Sequence, residues 1–267
     1  MIPAAFDYLR AHTTDEAFAY LQQHGAEARV LAGGQSLIPA MRFRLARPGV
    51  VVDINSLSDL RQVRFDGDAL VIGAMTRHAE VERSPLVKQA IPALAALAHM
   101  IGDPAVRNRG TIGGSISNND PAADYPAALV GLGGTVHTTR REVAADNFFT
   151  GMFETALDRA EIVTAVRLPK PQAACYMKFK NPASRYAIVG VFVARTAGSV
   201  RVAVTGAGPC VFRVPEMETA LARSFTPDAI KDITIPQDGL NSDIHASAEY
   251  RAHLVGVMAR RAVAGCA

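Results

Sequence analysis

Residues 28–54 leave the backbone few options. An apolar run, ARVLA, enters a Gly33–Gly34 pair followed by Gln35 and Ser36; LIPAMRFRL leaves it, and a second apolar run, GVVVDI, comes next. Short apolar runs bounded by turn residues read as strands, and the segment between them carries its apolar residues at helical spacing. The stretch is therefore a βαβ-like unit ending near Asn55. Glycines 33 and 34 lack a Cβ, so the turn can take positive φ and bring its N–H groups close to a ligand, which suits a phosphate or pyrophosphate. Gln35 and Ser36 would add donors. Taken alone, the pair reads first as a plain strand-to-helix turn. Neither G-x-G-x-x-G nor G-x-x-x-x-G-K-[ST] occurs here or at GAGPCV, which disfavours the ordinary nucleotide folds.

The same chemistry returns in RNRGTIGGSISNNDPAAD, where Gly113 and Gly114 stand among Thr111, Ser115, Ser117 and Asn118, with Arg107 and Arg109 before and Asp120 and Asp124 after. Asp120 before Pro121 matches a helix N-cap followed by proline at the first helical position. Asp124, one turn on, is either a solvated first-turn acid or an acceptor for polyol hydroxyls. The stretch lies in about 25 residues rich in Gly, Pro, Asn and Asp, and an ordered loop of that length is usually functional.

Around these stretches the pattern is mixed. Thr13 to Glu16 spells a capping box, opening a helix that Gly25 stops. From Leu57 the segments shorten: ALVIGAMT reads as a strand, and Leu86–Met100 as an apolar helix with Pro92 as a kink. EIVTAVRLP and YMKFK are strands, and RYAIVGVFVARTAGSVRVAVTGAG is a hairpin turning at Ala-Gly-Ser. PEMETALAR is a helix, and a last helix capped by Ser247 puts Tyr250, Leu254, Val257 and Arg261 on one side.

The 267 residues suffice for an ample core. A net charge of +3, 6% aromatic residues and no Trp argue against nucleic-acid binding. Cys175, Cys210 and Cys266 are too scattered to assemble a zinc or iron–sulfur site, and such thiols fit a reducing cytoplasm. The seven histidines show no metal spacing, and no apolar stretch approaches a membrane span or a signal peptide. Arg42, Arg44 and Arg47 are the one local basic cluster, either solvated or set against a diphosphate or a partner.

With both glycine stretches in view, the sequence resembles the FAD-binding medium subunit of molybdenum hydroxylases, the family of carbon monoxide dehydrogenase and xanthine dehydrogenase. IPAAFDY, AGGQSLIPAMRFRLARPGVVVDI, IGDPAVRNRGTIGGSISNNDPAADYPA, EIVTAVRLP and SAEYRAHLVGVMARRA occur in the family's order across essentially the whole chain. The resemblance implies an α+β fold: a small N-terminal βαβ subdomain (1–56) and a central mixed α+β subdomain (57–173) that bind FAD, then a C-terminal antiparallel sheet-and-helix domain (174–267). Ala32, Gly33, Gly34, Gln35, Ser36 and Leu37 would wrap the diphosphate. Thr111, Gly113, Gly114, Ser115 and Ser117 would face diphosphate and ribityl from the other side. Asp124 would take ribityl or ribose hydroxyls, Ile101 and Gly102 would pack on the isoalloxazine, and Val163 and Lys178 would approach its edge. Lys178 there is a cation able to stabilise the charge of the reduced ring, unless it is a strand lysine reaching solvent. Tyr186 would either shield the flavin face or sit buried in a strand. Ile101 stands where some relatives carry an aromatic residue, and Ser115 where a longer Asn or Asp is usual.

The implied partners are a small [2Fe–2S] subunit and a large molybdopterin subunit, in a dimer of heterotrimers in the cytoplasm, with this oxidoreductase subunit passing electrons to an external acceptor. Two other readings stay open on sequence alone. A free-standing FAD-dependent oxidase or reductase would turn over a small molecule by itself, and a non-redox nucleotide-binding assembly module would hold flavin that no partner cluster bleaches.

Overall fold

The computed structural model describes residues 2–266. Val50–Asp53 is the centre of a three-stranded parallel sheet, flanked by Asp7–Arg10 and Ala28–Leu31. The βαβ unit read from sequence is there, with the short helix Leu37–Arg42 between its strands. The flanking strand Asp7–Arg10 is too short and too polar to announce itself. Thr13 caps the helix Thr14–His24 by accepting from the Glu16 amide, and Gly25 closes it at φ 51°. The capping box is shifted by one residue: the Glu16 carboxylate takes the His12 amide at 2.7 Å.

A five-stranded antiparallel sheet follows, ordered Val63–Asp66, Ala69–Gly73, Val163–Pro169, Thr135–Thr138, Glu142–Ala144. Helices pack over it. Pro92 does more than kink the helix expected at residues 86–100: Pro85–Ala90 and Pro92–His99 are separate, with Ile91 at φ −143°, ψ 74°. A residue before proline is driven out of the helical region, and proline is well placed to open the next helix. The long polar stretch is likewise not a loop throughout, since it contains the helices Pro104–Arg107 and Ile112–Asn118.

The third sheet is antiparallel, Ala173–Lys180, Ala187–Arg195, Val200–Thr205, Phe212–Arg213. Both its faces are covered. Val189, Val191 and Val193 meet the helices Pro215–Arg223 and Ala248–Gly265, while Phe192, Ala194 and Tyr176 face the central core and the helix Tyr125–Leu132. That is why AIVGVFVA is apolar without interruption, as strands covered on both sides are. The last helix is rotated from the expected face: Arg251, Leu254, Val255, Met258, Ala259 and Ala262 are buried, and Tyr250 is 42% exposed.

Alternation along Ala173–Lys180 also fixes the site. Cys175, Met177 and Phe179 point to the terminal helices, so Tyr176 and Lys178 point to the central core. The chain enters the strand Val163–Pro169 pinned by Glu161, whose fully buried side chain accepts from Arg141 Nε and Nη2 at 3.1 Å each, Thr138 Oγ1 at 2.6 Å and the Asp158 amide at 2.9 Å. Burial raises this carboxyl, but the bonds from Arg141, Thr138 and Asp158 prevail and hold it at about 2. A depressed carboxyl contributes stability that is full above its unfolded value near 4.5 and is lost as pH falls toward about 2. Because Arg141 is half exposed, we expect Glu161→Gln to lose only about 1–2 kcal/mol at neutral pH and to be no less stable than wild type below pH ~2, read by urea unfolding across pH.

Candidate functional site

The two glycine segments meet. A Cβ on Gly33 would overlap the backbone carbonyl oxygen of Arg109 and stand 3.1 Å from Gly110 Cα. Built on Gly114, it would come within 4.0 Å of Ala32 Cβ. Gly34, at φ 74°, turns the chain between them and into the helix at Leu37. The turn is braced from below: Asn55 Nδ2 donates to the Ala32 carbonyl at 2.7 Å and to Asp53 Oδ1 at 2.7 Å, and Tyr8 donates to the other Asp53 oxygen. Burial pushes the Asp53 carboxyl up, yet the bonds from Tyr8 and Asn55 hold it below its usual value.

Among the described residues, the amides of Gly33, Gly34, Gln35 and Ser36 donate to no protein acceptor. Four successive unpaired N–H groups in a glycine turn form an anion-binding concavity. On the opposite wall Thr111 Oγ1 caps the helix Ile112–Asn118 by accepting from the Gly114 amide at 3.1 Å, and the Gly113 amide is spent on the Ala74 carbonyl at 2.9 Å. Those glycines offer close approach rather than free donors: Thr111 and Gly113 are buried, while Gly114, Ser115 and Ser117 are half-buried.

Asp124 is neither solvated nor one turn into a helix. It sits just before Tyr125–Leu132 at 5% exposure, without capping it. Its Oδ1 accepts from Tyr176 at 2.5 Å and its Oδ2 from Lys178 Nζ at 2.9 Å. Burial raises the Asp124 carboxyl, more than the attraction of Lys178 and the Tyr176 bond lower it. The Lys178 side chain is 2% exposed, so the solvent-reaching alternative is wrong. Asp120 is no N-cap either, its carboxylate accepting from the Ala122 amide at 2.9 Å in a turn.

Three cations gather the backbone that follows the helix Pro92–His99. Lys178 donates to the Met100 carbonyl at 3.2 Å, Arg107 to that of Ile101 at 3.1 Å, and Arg185 to that of Gly102 at 3.2 Å. A helix C-terminus is the negative end of its dipole, which favours them. Gly102 is at φ 49°, its absent Cβ replaced by the Val106 side chain within 3.0 Å. Nearby, the imidazole of His78 packs on Tyr125 with ring centroids 5.3 Å apart, and burial, helped by Arg107, brings it down to about 4, so it is neutral at pH 7. Val163, by contrast, is packed into the central core at 3% exposure. Tyr186 is 51% exposed, in a loop rather than a buried strand, on the rim of a cavity of about 410 Å³ that also involves Asp120 and Phe153. Arg42, Arg44 and Arg47 are exposed.

The sequence points to the glycines and, separately, to Asp124 and Lys178, and marks Arg107 only as a donor ahead of the second glycine pair; Asn55, Tyr176 and Arg185, which hold Ala32, Asp124 and Gly102, are not among its candidates. Only the alternation that puts Tyr176 beside Lys178 was readable in advance.

Two touching glycine segments, with unpaired backbone donors on one and hydroxyls on the other, suit a nucleotide cofactor with a diphosphate. Residues 4–171 match the family described as FAD binding domain in molybdopterin dehydrogenase, and residues 174–265 the CO dehydrogenase flavoprotein C-terminal domain. The carbon monoxide dehydrogenase medium chain of Hydrogenophaga pseudoflava is 35% identical, over 98% of this chain and 97% of its own. The nicotine 6-hydroxylase medium subunit of Paenarthrobacter nicotinovorans is 38% identical over 89% of each. The solved carbon monoxide dehydrogenase of Hydrogenophaga pseudoflava superposes with a TM-score of 0.91 at 36% identity, covering 100% of this chain and 98% of that one. This chain belongs to the FAD-binding medium subunits of the molybdenum hydroxylases. It is an oxidoreductase subunit whose cofactor is FAD, and the residues lining the cleft fit that group.

Proposed function

We propose that this chain is the electron-exit subunit of a heterotrimeric molybdenum hydroxylase, taking electrons from a small [2Fe–2S] subunit and passing them to an external acceptor. Convergence of the Gly33–Gly34 and Gly113–Gly114 segments on one set of unpaired amides carries the reading. FAD, when bound, supplies a carrier that takes electrons singly and releases them singly or in pairs. The chain supplies position and charge. Ala32 to Leu37 hold the diphosphate through their amides, with Thr111, Gly113, Gly114, Ser115 and Ser117 as the facing wall. Ile101 and Gly102, fixed by their carbonyl clamps, form the aliphatic floor for the ring. Asp124 and Lys178 are its charged back wall, Val163 closes the core behind it, and Tyr186 covers the open side.

We assign 1–56, 57–173 and 174–267 as the chain's domains, a reading supported by three main sheets that fall almost entirely one to each segment, the third starting at Ala173. A large molybdopterin subunit completes the enzyme, as a dimer of heterotrimers in the cytoplasm. No helix among the described residues is long and apolar enough to cross a membrane. To test the reading, the native protein is isolated with its companions and its visible spectrum and metals are recorded. We expect one FAD on this chain, iron and molybdenum in companion chains, and flavin bleaching on addition of the organic substrate only when the iron–sulfur chain is present. A yellow single chain, free of metals and reducing an acceptor at the expense of a small molecule by itself, would contradict it.

A further inference from the structure

Cys175 and Cys266, far apart in the chain, come together on the side of the C-terminal sheet away from the cleft. Cys175 lies on the edge strand Ala173–Lys180, opposite Val193, and faces the last helix. Cys266 is the C-cap of that helix, with its Sγ 3.8 Å from the Val193 carbonyl oxygen. A Cβ on Gly265 would stand 2.8 Å from Cys175 Sγ, so the helix end rests directly over that thiol. Both thiols are half-buried, within reach of a small solute. Nothing in the flavin chemistry uses them.

We propose that Cys175 and Cys266 are a peroxide-reactive dithiol that closes to a disulfide, fastening the C-terminal helix to the edge strand of its sheet. Hydrogen peroxide is the oxidant. The Cys175 thiolate attacks one peroxide oxygen, an S–O bond forms, the O–O bond breaks and hydroxide departs. Cys175 sulfur is oxidised by two electrons and the peroxide is reduced. Cys266 sulfur then attacks the sulfenic sulfur; the S–S bond forms, the S–O bond breaks, and the hydroxyl leaves as water with the Cys266 proton. In total, two thiols and one hydrogen peroxide give one disulfide and two waters. The order of attack follows from the surroundings: the Cys266 S–H is committed to the Val193 carbonyl, and beside Cys266 the Cys175 thiol is drawn down to about 7 in spite of burial, whereas Cys266 is pushed up. Cys210, raised by burial alone, is the internal control.

The full chain with its FAD and companions is reduced, treated with hydrogen peroxide, blocked with N-ethylmaleimide and digested without reductant. The expected product is a peptide pair joined through Cys175 and Cys266, lighter by about two hydrogens than its reduced parts, with Cys210 carrying maleimide. Maleimide on Cys175 and Cys266 to the same extent as on Cys210 would overturn the proposal. In Cys266→Ser the first step has no second thiol to resolve it, so Cys175 is expected to accumulate as a dimedone-trapped sulfenic acid. Trapping at Cys175 no greater than at Cys210 in that variant would overturn it as well.

Discussion

Gly33→Ala leaves the purified protein colourless. The added methyl overlaps the Arg109 carbonyl oxygen and lies 2.8 Å from the carbon of that group. Both are backbone atoms, so no rotamer change relieves the contact and the two glycine segments must separate. Overpacking of this kind destabilises a fold by about 1–3 kcal/mol. The larger loss is in cofactor binding: each hydrogen bond to a charged group contributes about 1.5–3 kcal/mol, and losing two such bonds weakens FAD by about 10²–10⁴-fold. Visible absorbance per chain and titration of FAD into the deflavinated variant read the effect. Gly67→Ala is the control. Gly67 also has positive φ, at 56°, but a Cβ there meets nothing within 4 Å, so that variant pays only backbone strain and stays yellow.

Asp124→Asn produces the second large loss, in stability. It leaves the Lys178 ammonium at 2% side-chain exposure with the Met100 carbonyl and no anion. Removing one partner of a buried pair costs about 3–5 kcal/mol, a large part of the 5–15 kcal/mol typical of a whole domain. Replacing both, as Asp124→Leu with Lys178→Met, removes the stranded charge and is expected to recover most of that loss in urea unfolding. If the double variant is as unstable as the single one, packing rather than charge explains the site. The pH dependence has the opposite sign to that of Glu161. The Asp124 carboxyl is raised by burial, so the proton-linked part of its contribution is complete below the unfolded value near 3.8 and is lost as pH rises through the folded value, leaving the pairing of the anion with Lys178.

Much of this arrangement is legible in the residues. Paired glycines between apolar runs can do little else than turn a strand into a helix, and the parallel unit at 28–53 forms as read. Pro215 and Ser247 start their helices where proline at the first turn and a serine cap place them. What escaped the reading depends on contacts distant in sequence. Lys178 looks like any strand lysine until the fold brings Asp124 to 2.9 Å. Asn55 gives no local sign that it will hold Ala32, and Arg107 and Arg185 become clamps only because the break after His99 presents successive carbonyls to them. The face of the last helix differs from the one its periodicity gives because a buried arginine counts as polar there; Arg251 lies inside, its Nη1 donating to the Ile188 and Gly206 carbonyls and its Nη2 to Asp243.

The measurement closest to the centre of this account is a calorimetric titration of the deflavinated chain with FAD and, separately, with riboflavin, which has the ring and ribityl but no phosphate. If the unpaired amides of Gly33 to Ser36 hold the diphosphate, FAD binds one per chain and riboflavin binds at least ~100-fold more weakly, with the difference largely abolished in Gly33→Ala. Equal affinity for the two ligands in the wild-type chain would mean that the glycine turns do not carry the cofactor.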